Sequence, residues 1–440
     1  MHQISPDGQF SIDEITKVEG AAGLDVKVTG GKVEYVQFGI KEFKRFYTHA
    51  MEGKPVVSIP QLLARICGTC SNAHLMASIE AVEKTLGVIP SEQTKLLRTL
   101  AYHGLIIRDH ALHLYVFSLP DIFKKDSLLG FDDDDPTQHQ LLHDAFAVKG
   151  AGNHLAVLIA GRSVHAPYPL PGGFSRIPKD SDIPKMVAEL KTVRPAILRL
   201  IDVFLQCEFS LIRKTNYAAL KTDHFSYLEG DLYDSNGLVA KEKDYRNHLE
   251  HVVIPYSHAS GYTFDGEVYR VGALARMNIN KDTLHPNTLR DAKEALTHFP
   301  SDDIFDNNLA QAIAILHSVD ESIELLTSSN FREEKPQKLV MRSGVGVGLV
   351  EAPRGTLYHK LEVNDKGIVQ HGEVIVPTGQ NQIAIEMDLR QFIEEHLDLS
   401  KEQLSLECEK IIRAYDPCMS CASHFLKLKW TEDGKEVPVN

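Results

Sequence analysis

At 440 residues the chain exceeds one small module; at about 150 residues per domain there is room for roughly three domains, or for one large lobed unit. Hydrophobic residues at 43% and charged residues at 24% are ordinary globular values, which excludes wholesale disorder and collagen-like structure. Lys+Arg 47 against Asp+Glu 60 leaves a formal net charge of -13, so the surface repels phosphate backbones and no nucleic-acid partner is expected.

The first forty residues read as β-structure. Phe10-Ser-Ile-Asp-Glu-Ile alternates, and Gly30-Gly31 separates the runs Leu24-Asp-Val-Lys-Val and Val33-Glu-Tyr-Val-Gln-Phe, which is a hairpin signal. From 60 to 86 the pattern is helical, interrupted at Cys67-Gly-Thr-Cys70. Val88-Ile-Pro breaks it, and Ser91 with Gln93 suits the start of a long helix reaching about Phe117. Further helices are predicted at 136–160, 181–215, 285–298 and 303–327, with an irregular Gly- and Pro-rich loop over 161–180. Strand character returns over 338–378, where Asn364-Asp-Lys-Gly marks a turn. Helices near 380–396 and 400–414 precede the C-terminal cysteines. With no internal repeat and no low-complexity linker, the expected fold class is α+β. A long-helix core carries flanking β-rich segments, and residues 1–424 form one interlocked unit.

No apolar stretch approaches the roughly 18–20 residues that span a bilayer. Residues 1–20 lack the basic and apolar regions of a secretory signal, so a soluble intracellular protein is expected. The run Gly344-Val-Gly346-Val-Gly348 hints at a dinucleotide loop. It lacks the strand–G-x-G-x-x-G–helix context, because Glu351-Ala-Pro follows in place of a helix, and that reading is rejected.

Six cysteines in a chain of this length make no disulfide scaffold. Cys207 and Cys408 lie in helical patterns and read as buried small hydrophobes. The other four form two C-x-x-C pairs, Cys67/Cys70 and Cys418/Cys421, whose short loops bring two sulfurs to one side. Four thiolates are a soft donor set suited to Zn, Fe or Ni. A structural zinc site is one reading, although zinc ribbons separate their pairs by about 15–20 residues and here nearly the whole chain intervenes. On spacing alone, structural zinc, a catalytic thiolate metal site and two unconnected pairs all stay open. Taken singly, Glu19 reads as a solvated strand carboxylate, Arg354 as a surface arginine in a turn, Asp109 as a mid-helix surface acid, and His74 and Thr378 as satisfied structural residues.

The surroundings of the pairs change that balance. Arg65-x-Cys67-x-x-Cys70-x-x-x-His74 together with Asp416-Pro-Cys418-x-x-Cys421-x-x-His424 resembles the paired signature of the large subunit of nickel-iron hydrogenases. Five more segments are similar to family segments in family order: Lys17-Val-Glu19-Gly20; Asp109-His110-Ala-Leu-His113-Leu-Tyr115; Gly161-Arg-Ser-Val-His165 through Pro171-Gly172-Gly173; Glu351-Ala-Pro353-Arg354-Gly355; and Val376-Pro377-Thr378.

The resemblance implies a buried dinuclear metal site and reversible conversion of H2 to protons and electrons. It makes Cys67 and Cys418 terminal nickel ligands, and Cys70 and Cys421 bridges from nickel to an iron carrying carbon monoxide and cyanide. It makes Glu19 the first proton relay beside Cys418, and sets Arg354 over the metals, paired with Asp109 and Asp416. Pro353, Arg354, Pro377 and Thr378 would enclose and hydrogen-bond the cyanides, and His74 would donate toward a bridging sulfur. The four paired cysteines leave none for a further cluster. The implied partners are therefore an iron–sulfur small subunit and further electron-transfer subunits, as in the cytoplasmic multi-subunit type.

Two features depart from the family pattern. Where many members have a Glu that joins the C-terminal His in binding Mg, nineteen residues before Cys67, this chain has Thr48, with Glu42 and Glu52 nearby. A Mg site at His424 thus lacks its usual carboxylate. Mature members end at the position of His424, whereas residues 425–440 follow here. They are expected to be a precursor tail removed by a maturation protease, with Phe425-Leu-Lys-Leu-Lys-Trp430 alternating like a strand. The rivals are an H2 sensor with the same centre, a respiratory-complex subunit that has lost its metal, which four intact cysteines disfavour, and the structural zinc protein.

Overall fold

The computed structural model describes residues 8–43, 46–423, 430–432 and 435–437. Four long helices, Glu92–Ala111, Pro136–Ala160, Ile183–Leu205 and Asp306–Ser328, pack side by side in that cyclic order. Their starts follow from local chemistry. The Ser91 side chain accepts from the Thr94 N–H, and Asp135 accepts from the N–H groups of Thr137 and Gln138 ahead of Pro136, satisfying donors that a helix start leaves free. The first helix outruns its predicted end near Phe117. It widens into a π-helical stretch, Leu112–Ser118, and continues as Leu119–Ile122. The wider turn carries His113, which reaches both Gln311 and the Arg413 carbonyl.

The helix predicted over 181–215 stops at Leu205. Beyond it the Leu211 N–H donates to Asp303 Oδ1 at 3.0 Å and Ile212 bridges to Asp303, so tertiary pairing overrides the helical pattern. Cys207, beyond that end, is half-buried, not a core hydrophobe; Cys408 is fully buried as expected. The predicted 285–298 helix is two short ones, Pro286–Asp291 and Lys293–Leu296. Residues 216–270, where periodicity gave no reading, form short strands. Asn216–Lys221 lies between Tyr269–Arg270 and Asp231–Asp234, and Val239–Ala240 completes the sheet. Leu249–Val252 and Gly261–Phe264 form a separate hairpin. Among the described residues no helix is long and apolar enough to cross a membrane.

Two three-stranded antiparallel sheets flank the helices. Near the N-terminus, Gly8–Ile12, Ala22–Thr29 and Lys32–Ile40 form a meander that turns at Gly30-Gly31. It packs on the helix Pro377–Glu395, where Gln382 Nε2 donates to the Phe38 carbonyl at 2.9 Å. Toward the C-terminus, Gly344–Ala352, Gly355–Val363 and Val369–Ile375 cover the helix Ser71–Leu86. The glycine run belongs to this contact. A Cβ at Gly346 or Gly348 would collide with the carbonyls of Ala81 and Ala77, so the glycines let strand and helix backbones touch. One apolar core extends from Phe10 to Ala422 and includes all four paired cysteines.

Glu386 ties the N-terminal meander to its helix, accepting from the Phe38 N–H at 2.9 Å and the Tyr256 hydroxyl at 2.8 Å. Burial pushes its carboxyl up to about 7. The folded chain thus holds a proton that the unfolded chain has released above its ordinary value of 4.5. Stability from this group is complete at low pH and lost as pH rises through about 7. Glu386→Gln is therefore expected to raise stability by about 1–2 kcal/mol at pH 8, the exposed part of the group being screened, and to change little at pH 5. Thermal melts at the two pH values check this.

Candidate metal centre

Each cysteine pair sits where a helix begins. Cys70 immediately precedes the helix Ser71–Leu86, and Arg108, from the long helix behind, donates to the Thr69 carbonyl within the Cys67–Cys70 turn. Cys418 and Cys421 bracket the single turn Met419–Ala422. The chain enters that turn through Asp416, whose φ of 51° is left-handed, a conformation Asp tolerates better than most residues. The Cys418 N–H donates to Thr378 Oγ1 at 2.9 Å, and the Met419 N–H to the Glu19 carbonyl at 2.9 Å. Glu19 and Cys418 form an isolated parallel bridge, so the N-terminal segment lies directly along the C-terminal one.

The four sulfurs converge, all within 4.8 Å of one another. Cys67 to Cys418 is 3.4 Å, Cys70 to Cys421 3.0 Å and Cys418 to Cys421 3.0 Å. These separations are too long for a disulfide, about 2.05 Å. They approach the roughly 3.3–3.8 Å between thiolates that share an ion at about 2.3 Å. Burial pushes the Cys418 and Cys421 thiols well above their ordinary range, while hydrogen bonds from the other thiols, Cys418 first, hold Cys67 well below it. Cys70, Cys418 and Cys421, all raised, thus favour the protonated form that bound divalent ions would displace, while Cys67 already favours the thiolate.

Arg354 reaches the same space by a different route. Ala352 pairs with Gly355, so Pro353 and Arg354 are the two loop residues of a tight hairpin. Buried Arg276 fixes that loop, donating to Glu351 Oε2 at 3.1 Å and to the carbonyls of Ala352 and Pro353 at 2.9 and 3.0 Å. Arg354 then donates to Asp109 at 3.0 and 3.3 Å and to Asp416 Oδ1 at 2.9 Å. Burial opposes its charge, but Asp109 and then Asp416 outweigh that and hold the guanidinium protonated. Gln311 Nε2 fixes the other Asp416 oxygen at 2.9 Å. Arg354, Pro353, Pro377, His74 and the sulfurs of Cys70, Cys418 and Cys421 line one small internal cavity.

Glu19 Oε2 accepts from Cys418 Sγ at 3.0 Å, and Glu19 Oε1 accepts from the Ser420 hydroxyl at 2.7 Å. Burial raises its carboxyl above the ordinary value, with the Cys67 charge second. His74 Nε2 lies 3.5 Å from Cys421 Sγ. The structure thus brings together Glu19, Cys67, Cys70, His74, Asp109, Pro353, Arg354, Pro377, Thr378, Asp416, Cys418 and Cys421. The single-residue readings of Arg354 and Asp109 as surface groups are overturned, since both are buried.

His424 lies outside the described residues. Thr48 is on the short helix Tyr47–Met51, and Glu52 faces His49 and His371 at the surface. Glu42 lies closer to the C-terminal segment: it accepts from the Ala21 N–H at 3.1 Å, and the next residue's carbonyl, Phe43, accepts from the Ser423 hydroxyl at 3.1 Å. Residues 425–429 also lie outside the described set. Trp430–Glu432 pairs antiparallel with Lys435–Val437.

Sequence reasoning missed Gln311, Arg276, Arg108, Ser78, His359 and Ser420. No motif marks them, because each acts through a fold contact distant in sequence or through a plain polar side chain. A second His/Glu cluster, His103, His317 and Glu321, also emerges. The His285 backbone N–H donates to His317 Nδ1 at 3.1 Å, so a neutral ring keeps its proton on Nε2, 2.9 Å from Glu321. A protonated nitrogen cannot ligate, and this cluster is not a metal site.

The sequence model of the nickel-dependent hydrogenase family matches residues 47–149 and 233–424. Sulfhydrogenase 2 subunit alpha of Pyrococcus furiosus is 33% identical over 425 residues, covering 95% of this chain and 100% of that protein. Sulfhydrogenase 1 subunit alpha of the same organism is 32% identical over 427 residues, covering 95% and 98%. Among solved structures, an NAD+-reducing NiFe hydrogenase in the H2-reduced state is similar with a TM-score of 0.83 at 24% identity, over 96% of this chain and 100% of that one, a likeness of fold.

Proposed function

This chain belongs to the nickel-dependent hydrogenase family as the large, catalytic subunit of an enzyme acting on H2, and on that footing we propose a role for each group in the site. The convergence of four sulfurs from the two ends of the chain carries the reading. Cys67 and Cys418 would hold nickel, and Cys70 and Cys421 would bridge it to an iron that carries carbon monoxide and cyanide. When bound, the two metals supply the Lewis-acid centre at which H2 is split heterolytically.

The chain's own groups then handle protons, orientation and water. Glu19 takes a proton from Cys418 Sγ at 3.0 Å and hands it on past Ser420; burial brings its carboxyl nearer to neutral exchange. Arg354, held in place by Asp109 and Asp416, aims a fixed guanidinium at the metals. Pro353 and Pro377 exclude water around the diatomic ligands, and Thr378, whose oxygen accepts from the Cys418 N–H, keeps its hydroxyl proton for a cyanide. A Mg ion at His424 would take its carboxylate from Glu42, whose neighbour Phe43 accepts from the Ser423 hydroxyl. Residues 1–424 act as one cytoplasmic unit, and a maturation protease removes 425–440. An iron–sulfur small subunit and further electron-transfer subunits carry the electrons away.

Co-purified native complex, assayed for metals and for H2-dependent dye reduction, tests this. Nickel at about one per large subunit, with iron in excess of it because the iron–sulfur partner adds its own, and enzyme-like turnover support it and exclude a pure sensor; zinc in place of nickel makes the site structural. Glu19→Gln is expected to keep both metals and to slow H2/D2 exchange by about 10²–10⁴-fold. Nickel loss as complete as in a cysteine variant would remove Glu19 from the proton route.

A further inference from the structure

Behind the sulfurs runs a buried chain of side chains. Cys421 Sγ lies 3.5 Å from His74 Nε2, His74 Nδ1 lies 3.0 Å from His359 Nε2, and His359 Nδ1 lies 2.9 Å from Ser78 Oγ. All three residues behind the sulfur are at most 1% exposed, and the two rings are 5.2 Å apart, centre to centre. His74 and Ser78 are four residues apart on one face of the helix Ser71–Leu86, and His359 comes from the strand Gly355–Val363 that covers it. We infer that Ser78 and His359 are positioning residues that lock His74 in the tautomer with its proton on Nε2, so that it permanently donates to the Cys421 sulfur.

The direction follows from the sulfur end. On the proposed reading, on which this inference rests, Cys421 is a metal-bound thiolate and can only accept. His74 must then carry its proton on Nε2. In that tautomer His74 Nδ1 is a lone pair and accepts from a donor. His359 Nε2–H is that donor, which leaves His359 Nδ1 as an acceptor, and the Ser78 hydroxyl supplies the last proton. A reversed chain would aim a lone pair at a thiolate. Each ring nitrogen's state is thus set by the partner of the other, as for histidines around metal sites. The consequence is electronic. A hydrogen bond to a thiolate withdraws charge from the metals, and such bonds are one determinant of potential in sulfur-ligated centres.

The test is infrared spectroscopy of the diatomic ligands in the purified complex, with nickel and iron content measured in parallel. Ser78→Ala removes only a buried hydroxyl and weakens the lock; His359→Leu removes the donor to His74. Both should keep the metals and move the carbon monoxide stretch to lower wavenumber, because a more electron-rich iron back-donates more, with His359→Leu giving the larger shift. In a His74→Phe background, Ser78→Ala should add no further shift, an outcome that a merely structural role would not produce. Metal-loaded protein whose bands are unmoved by Ser78→Ala, or move equally in the His74→Phe background, overturns the inference. A wild-type complex with no such bands contradicts the proposed iron ligands instead. Should His359→Leu lose its metals, the Ser78→Ala pair decides the matter alone.

Discussion

Cys421→Ala is expected to yield a folded chain that holds no nickel and has no H2-dependent activity. The sulfur lies 3.0 Å from both Cys70 and Cys418, so it touches its own pair-mate and the other cysteine pair at once. Alanine fills most of the same volume, and the fold should lose only about 1 kcal/mol, the ordinary cost of a small core change. The loss of function is therefore a loss of donors. Cys67→Ala should behave alike. Cys408→Ala is the control: it is equally buried but packs in the helix Lys401–Ala414, and it should retain metal and turnover. Circular dichroism with nickel analysis of all three checks the set, and nickel at wild-type content in Cys421→Ala would exclude that sulfur as a ligand.

Arg354→Lys should leave nickel and iron in place while cutting turnover by about 10²-fold, the scale of losing one aimed electrostatic donor. The guanidinium makes three bonds to two carboxylates at once, two to Asp109 and one to Asp416. A lysine ammonium keeps the charge but not the planar fork, so it cannot hold both acids in the same geometry. Because Asp109 and Asp416 are fully buried, a poorly placed cation also leaves carboxylate oxygens unsatisfied, and some loss of stability should accompany the lost rate. Metal content, dye-linked turnover and a thermal melt of the one variant separate these effects. Full turnover in Arg354→Lys would mean that the fork has no role.

The helix from Glu92 was legible because Ser91 marks its start and its side chain accepts from the Thr94 N–H, and the other long helices were legible from their apolar periodicity. The Gly30-Gly31 turn was legible as well, since both residues need positive φ. The helix predicted to run past Leu205 was misjudged because what ends it is Asp303, about a hundred residues away. The strands of 216–270 are only two to six residues long, too short for alternation to register. At the metal centre the four cysteines, Glu19, Arg354 and the two acids were recoverable because the family resemblance carried them in order. Arg276, Gln311, His359 and Ser78 were not. Their importance comes from which carbonyl, carboxylate or ring the fold sets beside them, and a single chain of letters does not encode that contact locally.

X-ray absorption at the nickel edge on the native complex is the most direct measurement of whether both cysteine pairs clasp one dinuclear centre. The predicted result is nickel with sulfur donors as nearest neighbours and an iron atom just beyond them, both signals vanishing in Cys421→Ala. Nickel surrounded only by nitrogen and oxygen, or no nickel edge in a complex that carries zinc, would contradict it.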